Sequence, residues 1–553
     1  MKKLFTLAFL TVIVLGLQAQ KQEKEAAHEL SKDARKGQLA EFKYDEEEKT
    51  YTLIYAREKS RKILVNLYKF DYDFNQIAHE EEEIELEKAK EKYDFIEYDG
   101  DEGEPLKLLR VEENLTGQIV LRTGYMTKKW ATSPEGIGYY KYNFVEEEKV
   151  KPKIEIPIEF PENTPGFVKK IAEGQAKKIL LKAYMTDEPQ FSVTTGARSF
   201  RYKSVWEAKR NYQEATGDIV ILGYQEWYIK KDLFNRFLVL KYKAENLERE
   251  KMEVVDFEFP TDVVYKQKLA DGTMAVVLAP TGTYKPKDPN PCNYTFLKIS
   301  RNAEVLEKIA FESPSSYWNI ANMVLSAKGD LYIYGSAYKE KNDKHFDKLK
   351  DKNSFDNFQI MKISDGKVAF LTSTGLDEFE NKMQIPPSQK KGDTYEGADF
   401  IFTNFSVLDN GDILIEGQSN DHVSVNIFHL DKEGKLRAQY AADLEETGSD
   451  AKENMTDHAC FPNVDGKTIT WFIGELEGIQ KEVRPLKYPR LATINIAEAR
   501  LMDFQTFGHG DEDYYIDNDY PLIFTEGGKK IVFFGADKKE KNIWFSRVEL
   551  GVQ

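Results

Sequence analysis

The phrase NGDILIEG at 410–417 returns as KGDLYIYG at 328–335 and as TGDIVILG at 216–223. Glycine beside Asn or Asp suits a tight hairpin turn, because these residues accept positive φ. After each turn the chain runs apolar or alternates for several residues, then meets a small residue. Further copies are TGQIVLRTG from Thr116, DGTMAVVLA from Asp271, DGKTITWFIG from Asp465 and GGKKIVFFG from Gly527, with a degenerate EKTYTLIYA from Glu48. A second strand follows most copies, as in YTFLKISRNAE at 294–304 and VNIFHLDKEGK at 425–435, and a third precedes the turn, as in FSVLDNG. Each unit is therefore three or four antiparallel strands.

From Gly217 the turn glycines recur after 55, 57, 82, 55 and 62 residues, at Gly272, Gly329, Gly411, Gly466 and Gly528. A four-stranded unit cannot bury both faces alone, so units at this period pack on one another around an axis. The expected fold is all-β: a seven- to eight-bladed β-propeller over residues 37–550, with a short helical insertion around 160–190. A tandem of β-sandwiches is the alternative, although nothing like a linker separates the copies. In a propeller the units at 37–78 and 518–550 lie side by side, since closure hides the edge strands.

The KGDLYIYG and NGDILIEG hairpins resemble those of bacterial β-propellers of the NHL-like and kelch-like kind. The resemblance implies a fold and no functional residues. The chain departs from those families in lacking Gly-His…Trp-Asp pairs, the paired-glycine kelch signature and a regular Asp-box. NVDGKTITW at 463–471 resembles an Asp-box with its glycine too early.

Residues 1–19, MKKLFTLAFLTVIVLGLQA, have two lysines, an apolar run and a small residue before Gln20, the pattern of a secretory signal peptide ending at Ala19. The Ala-Gln ending resembles leaders of envelope proteins in bacteria that carry the type IX secretion system. No later stretch approaches the ~20 apolar residues that span a bilayer. Removing the leader from 553 residues leaves 534, and losing Lys2 and Lys3 takes the formal charge from −16 to −18. So acidic a chain is repelled by phosphate, and nucleic acid is not an expected partner. Cys292 and Cys460 stand far apart and are expected to be unpaired and dispensable.

Several stretches interrupt the units. TPGFVKKIAEGQAKKILLKAY at 164–184 places Phe167, Val168, Ile171 and Ala172 at helical spacing behind Pro165, and reads as an amphipathic helix covering a blade edge or docking a partner. The polar stretches 338–353 and 383–399 read as projecting loops. The charged run 79–94 reads as a solvated helix or a long hairpin. Residues 20–36 read as a mobile or helical N-terminal segment outside the repeat.

The motifs of chemistry are sparse. G-x-S-x-G, H-E-x-x-H and a Walker loop are absent. HGDEDYYIDNDY at 509–520 gathers Asp511, Asp513, Asp517 and Asp519, carboxylates that can collect Ca²⁺. It lacks the glycine and final glutamate of an EF-hand, so it reads first as an acidic inter-blade loop. His422, His458 and His509, with Asp421, Asp457 or Asp511, would make an acid–base or metal site if they met at one mouth of a ring.

No residue is assigned a catalytic, cofactor-binding or metal role, and no cofactor is expected. The expectation is a non-catalytic protein-binding scaffold, or an accessory subunit of a bacterial envelope complex such as an outer-membrane secretion machine. The alternative is an enzyme or carbohydrate-binding protein using an axial pocket. Because the chain ends directly on the last unit, without an appended sorting domain, the periplasm is the expected compartment, ahead of secretion or the cell surface. The expected partner is another envelope protein, with peripheral association to an outer-membrane protein and no membrane span of its own.

Overall fold

The computed structural model describes residues 20–59, 62–85, 248–257, 261–280, 290–338, 355–397, 400–419, 424–445, 453–480, 484–509 and 513–551, with strands and short pieces between 88 and 243. The leader lies outside the described residues. The protein is all-β, and among the described residues eight sheets of four or five strands follow one another along the chain. It divides into two compact units, residues 1–99 with 374–553 and residues 100–373.

The first unit holds four sheets. The first sheet is a meander of Gln38–Asp45, Thr50–Lys59, Lys62–Phe70 and Gln76–Glu85. The sixth runs Phe400–Val407, Ile413–Ser419, Ser424–Leu430 and Leu436–Asp443, with Met383–Gln384 parallel to its last strand. The seventh is built on Asp457–Pro462, Thr468–Gln480 and Arg484–Asn495. In the eighth, Tyr514–Ile516 and Leu522–Thr525 both pair with Lys530–Asp537, and Asn542–Leu550 follows. The second unit holds the other four sheets, among them Thr261–Lys268 to Val305–Glu312 and Trp318–Leu325 to Lys367–Gly375.

The recurring phrase has a physical reading. Gly411 sits at φ 90° and Gly329 at φ 87°, conformations that a side chain resists. The Asn410 side chain accepts the Asp412 N–H at 2.9 Å, and Gly411 N–H closes the turn on Leu408 O. The strand that follows, Ile413–Ser419, is buried along nearly its whole length. The closing glycine lies opposite a β-bulge in the preceding strand, between Phe402 and Asn404 for Gly417 and between Ile320 and Asn322 for Gly335. A Cβ on Gly417 would stand 2.6 Å from Ile401 O and 2.2 Å from the Phe400 ring. Gly417→Ala is expected to cost about 1–3 kcal/mol through this overlap. Urea unfolding measures it, and an unchanged midpoint would contradict the close approach.

Neighbouring sheets of the first unit share cores. Val425, Ile427 and Tyr440 of the sixth pack on Ile469, Trp471 and Ile494 of the seventh. Phe472 and Leu491 of the seventh pack on Phe533 and Trp544 of the eighth. Phe42, Tyr51 and Phe70 of the first pack on Phe534 and Phe545 of the eighth, with the Phe42 and Phe534 rings 4.5 Å apart. The stretches 37–78 and 518–550 are thus adjacent.

Residues 20–36 correct the expectation of a mobile or helical segment. Gln20–Glu29 is a strand, antiparallel to Asn542–Leu550 from Gln20↔Leu550 to Glu29↔Asn542, and only Ala34–Lys36 forms a short 3₁₀ turn. Its Lys, Glu and Ala residues favour helix, but pairing with a strand more than 500 residues away prevails. Most of its side chains are exposed, which gives the sheet a charged outer edge. Residues 76–85 likewise form an edge strand, and of the rest of the charged run Lys88, Ala89 and Lys92 are helical. The stretch 383–397 packs down instead of projecting, because Tyr395 is buried among Phe379, Phe400 and Phe428. Of the insertion, Gly166, Phe167 and Lys170 are helical and Phe167 is 68% exposed; Val168 and Ile171 lie outside the described residues.

Candidate functional site

The carboxylates of the acidic stretch do not form one site. Asp511 lies outside the described residues. Asp513 faces His509 at 3.5 Å, and that ring packs on Tyr488. Asp517 and Asp519 instead line a cavity of about 360 Å³ at the joint of the first and eighth sheets. Among the described residues no three His, Cys, Asp or Glu side chains are grouped as metal ligands.

The cavity has pinned walls. Leu30 N–H donates to Lys541 O, Ser31 N–H to the Tyr68 hydroxyl, and Ser31 Oγ to Asn66, fixing the loop from the N-terminal strand to the first sheet. Leu39, Ile516 and Phe534 supply apolar surface. At the rim Arg484 Nε meets Glu540 at 3.3 Å, while Arg35 bonds Glu29 at 2.8 Å and Leu30 O at 2.9 Å. Asp517 Oδ1 accepts the N–H groups of Asp519 and Tyr520, both at 3.0 Å, which shapes the turn. Burial raises the Asp517 carboxyl above its ordinary range, and these two bonds only partly oppose the effect. Tyr55 is 9% exposed, and its hydroxyl has no hydrogen-bond partner among the described residues. Burial raises this phenol first, and the Asp517 charge adds to it.

The histidines go elsewhere. His422 and Asp421 lie outside the described residues. Asp457 pairs with Lys487 at 2.5 Å. His458 is buried between the sixth and seventh sheets, with Nδ1 3.2 Å from Glu416 and Nε2 3.1 Å from Thr403 Oγ1. Glu416 also accepts Cys460 N–H at 3.2 Å. Burial, and then Glu416, raise the Cys460 thiol, which is an inert environment for it. Cys292 and Cys460 are not joined in a disulfide.

A second bridge stands beside this one. Asp412 bonds His429 at 3.0 Å and Arg437 at 2.6 Å, and Arg437 reaches Ala497 O of the seventh sheet. His429 Nδ1 meets the Tyr440 hydroxyl at 2.9 Å. Asp412 and Glu416 are the two acidic residues of NGDILIEG, so its polar positions join sheets. Asp330 of KGDLYIYG makes the related bond to Lys362 at 2.7 Å. Sequence reasoning missed these residues and Tyr55; their only signal is an acidic residue beside or within an otherwise apolar strand.

This bridge predicts a pH dependence. Burial lowers His429 below its ordinary value, so it is neutral in the fold. Below about pH 6.5 the unfolded chain takes up that proton more readily, and stability falls as the pH drops. Burial would raise Asp412, but bonds from His429, Arg437 and Asn410 prevail and hold it low. Its contribution is present above the unfolded carboxylate value and is lost as pH falls through the folded one. Urea unfolding between pH 7.5 and 5.5 is expected to show declining stability, with a flatter decline in His429→Gln. An equal slope in the variant would contradict a neutral buried imidazole.

No family model matches the chain, and no curated protein matches it. Among solved structures it is similar to a luciferin-regenerating enzyme at 8% identity, covering 96% of this chain and 97% of that one, with TM-score 0.20. A putative dipeptidyl aminopeptidase IV from Bacteroides ovatus overlaps at 8% identity, 87% of this chain, 65% of that one and TM-score 0.23. An acylaminoacyl peptidase from Pyrococcus horikoshii gives 9%, 91%, 58% and 0.19. Overlaps this loose carry no argument about function.

Proposed function

We propose that this chain is a non-catalytic binding protein of the bacterial envelope, built as one eight-bladed β-propeller whose ring is closed by Gln20–Glu29. The ring reading is supported by the eight successive sheets of the described residues, antiparallel apart from Met383–Gln384, and by the N-terminal strand completing the last of them. A ring sealed through both chain ends hides the edges that open sheets leave. The leader points to export, and the periplasm is the proposed compartment. The partner is another envelope protein, with peripheral attachment to an outer-membrane protein.

One observation carries binding ahead of chemistry. The buried acid and base side chains Glu416, His458, Asp412 and His429 bond one another and the neighbouring sheet. Open polar groups, by contrast, line a pinned cavity beside the apolar side chains of Leu39, Ile516 and Phe534, which suits recognition. The test is native purification of the tagged chain from its own host's envelope after light cross-linking. One protein recovered in constant stoichiometry, and binding the purified chain again, is the expected result. A chain that stays alone and turns over peptide or glycoside substrates would overturn the reading.

A further inference from the structure

The cavity at the joint of the first and eighth sheets is electrostatically incomplete. Five charged side chains line it: Arg35, Arg484, Asp517, Asp519 and Glu540. Both cations have a carboxylate already, Glu29 for Arg35 and Glu540 for Arg484. Neither Asp517 nor Asp519 forms a direct ion pair among the described residues, and the one cation that acts on Asp517 is Arg484, which is already paired with Glu540. Asp517 Oδ1 is spent on the two backbone N–H groups of its turn, and its other oxygen has no bond among the described residues. Tyr55, buried except for 9% of its surface, adds an unpartnered hydroxyl to the same space. A bound donor would satisfy these acceptors together.

We propose that this cavity receives a guanidinium on an apolar stem, an arginine side chain of the partner protein. The inference rests on the binding role proposed above and gives it a place. The stem packs on Leu39 and Phe534, while the planar head donates to Asp517, Asp519 and the Tyr55 oxygen. Carboxylate pairs are matched best by the fixed fork of guanidinium donors. At about 360 Å³ the space lies near the lower end of ligand cavities, about 300–1,000 Å³, and suits one side chain better than a folded segment. The walls are hydrogen-bonded in place already, so little ordering opposes entry.

The test uses the purified full chain after leader removal, titrated with N-acetyl-arginine methylamide and with its neutral isostere N-acetyl-citrulline methylamide. Calorimetry is expected to show the arginine probe binding at least about tenfold more tightly, since only it carries the charge. Asp517→Asn keeps the oxygen that holds the turn and is expected to lose about tenfold for the arginine probe alone; exposed Asp519→Asn is the second variant, for which a smaller loss is expected. Equal binding of both probes, or an undiminished arginine probe in both variants, overturns the proposal. The partner arm fixes the source of the cation. Asp517→Asn is expected to recover less of the co-purifying protein, and undiminished recovery overturns the assignment to a partner's side chain in favour of a free small cation. Recovery of a partner by the unaltered chain tests the binding role separately, whatever the probes do.

Discussion

A chain that begins at Leu30 is expected to lose its cooperative unfolding transition. The deleted strand pairs with Asn542–Leu550 along its whole length, and its side chains add further ties. Trp544 Nε1 donates to Glu25 at 2.7 Å, Arg547 Nε to Glu23 at 3.1 Å, and Lys530 lies 2.9 Å from Glu23. His28 Nε2 reaches Phe74 O at 2.7 Å, tying the strand to the first sheet as well. A net contribution of about 1 kcal/mol per hydrogen bond makes the loss on the order of 5 kcal/mol or more. Domains of this kind hold only about 5–15 kcal/mol in all. The freed edge also becomes a template for aggregation. Circular dichroism melting with light scattering measures both effects, and an unchanged, reversible transition would show that the strand is an accessory.

The second large effect is expected at Arg490. Its guanidinium lies against Glu475 within the seventh sheet, meets Glu445 at 3.2 Å, and stands over the Phe504 ring at 4.9 Å. The Arg490 and Glu475 side chains are only 4% and 1% exposed. Arg490→Met removes the guanidinium that lies against buried Glu475, a change expected to cost about 3–5 kcal/mol. Adding Glu475→Gln is expected to recover most of that loss, because the burial penalty belongs to the charge that the guanidinium offset. Urea unfolding of the two single variants and the double variant gives the coupling. A single variant within about 1 kcal/mol of the original would contradict the buried pair.

Much of the fold was legible because the repeat is local. A turn glycine, a strand and a closing glycine are written within eight residues at 410–417, and each does its work within one sheet. The N-terminal strand was not legible, since its partner lies at the other end of the chain. The bridges were hidden for a different reason. Asp412 and Glu416 flank a run of three apolar residues, and nothing in that run shows that both acids are buried. The acidic stretch was read as one loop, whereas its residues part: Asp513 goes to His509, and Asp517 and Asp519 go to the cavity. Tyr55 carried no signal, because a tyrosine in a strand is ordinary core until a space opens beside its hydroxyl.

Small-angle X-ray scattering of the purified chain tests the proposed single ring most directly. A single compact domain of 534 residues, the length left after removing residues 1–19, has a radius of gyration of roughly 24 Å. One closed platform predicts that value with a single-peaked distance distribution, unchanged by salt. A radius well above it, with a second peak from two separated bodies, would contradict the single ring.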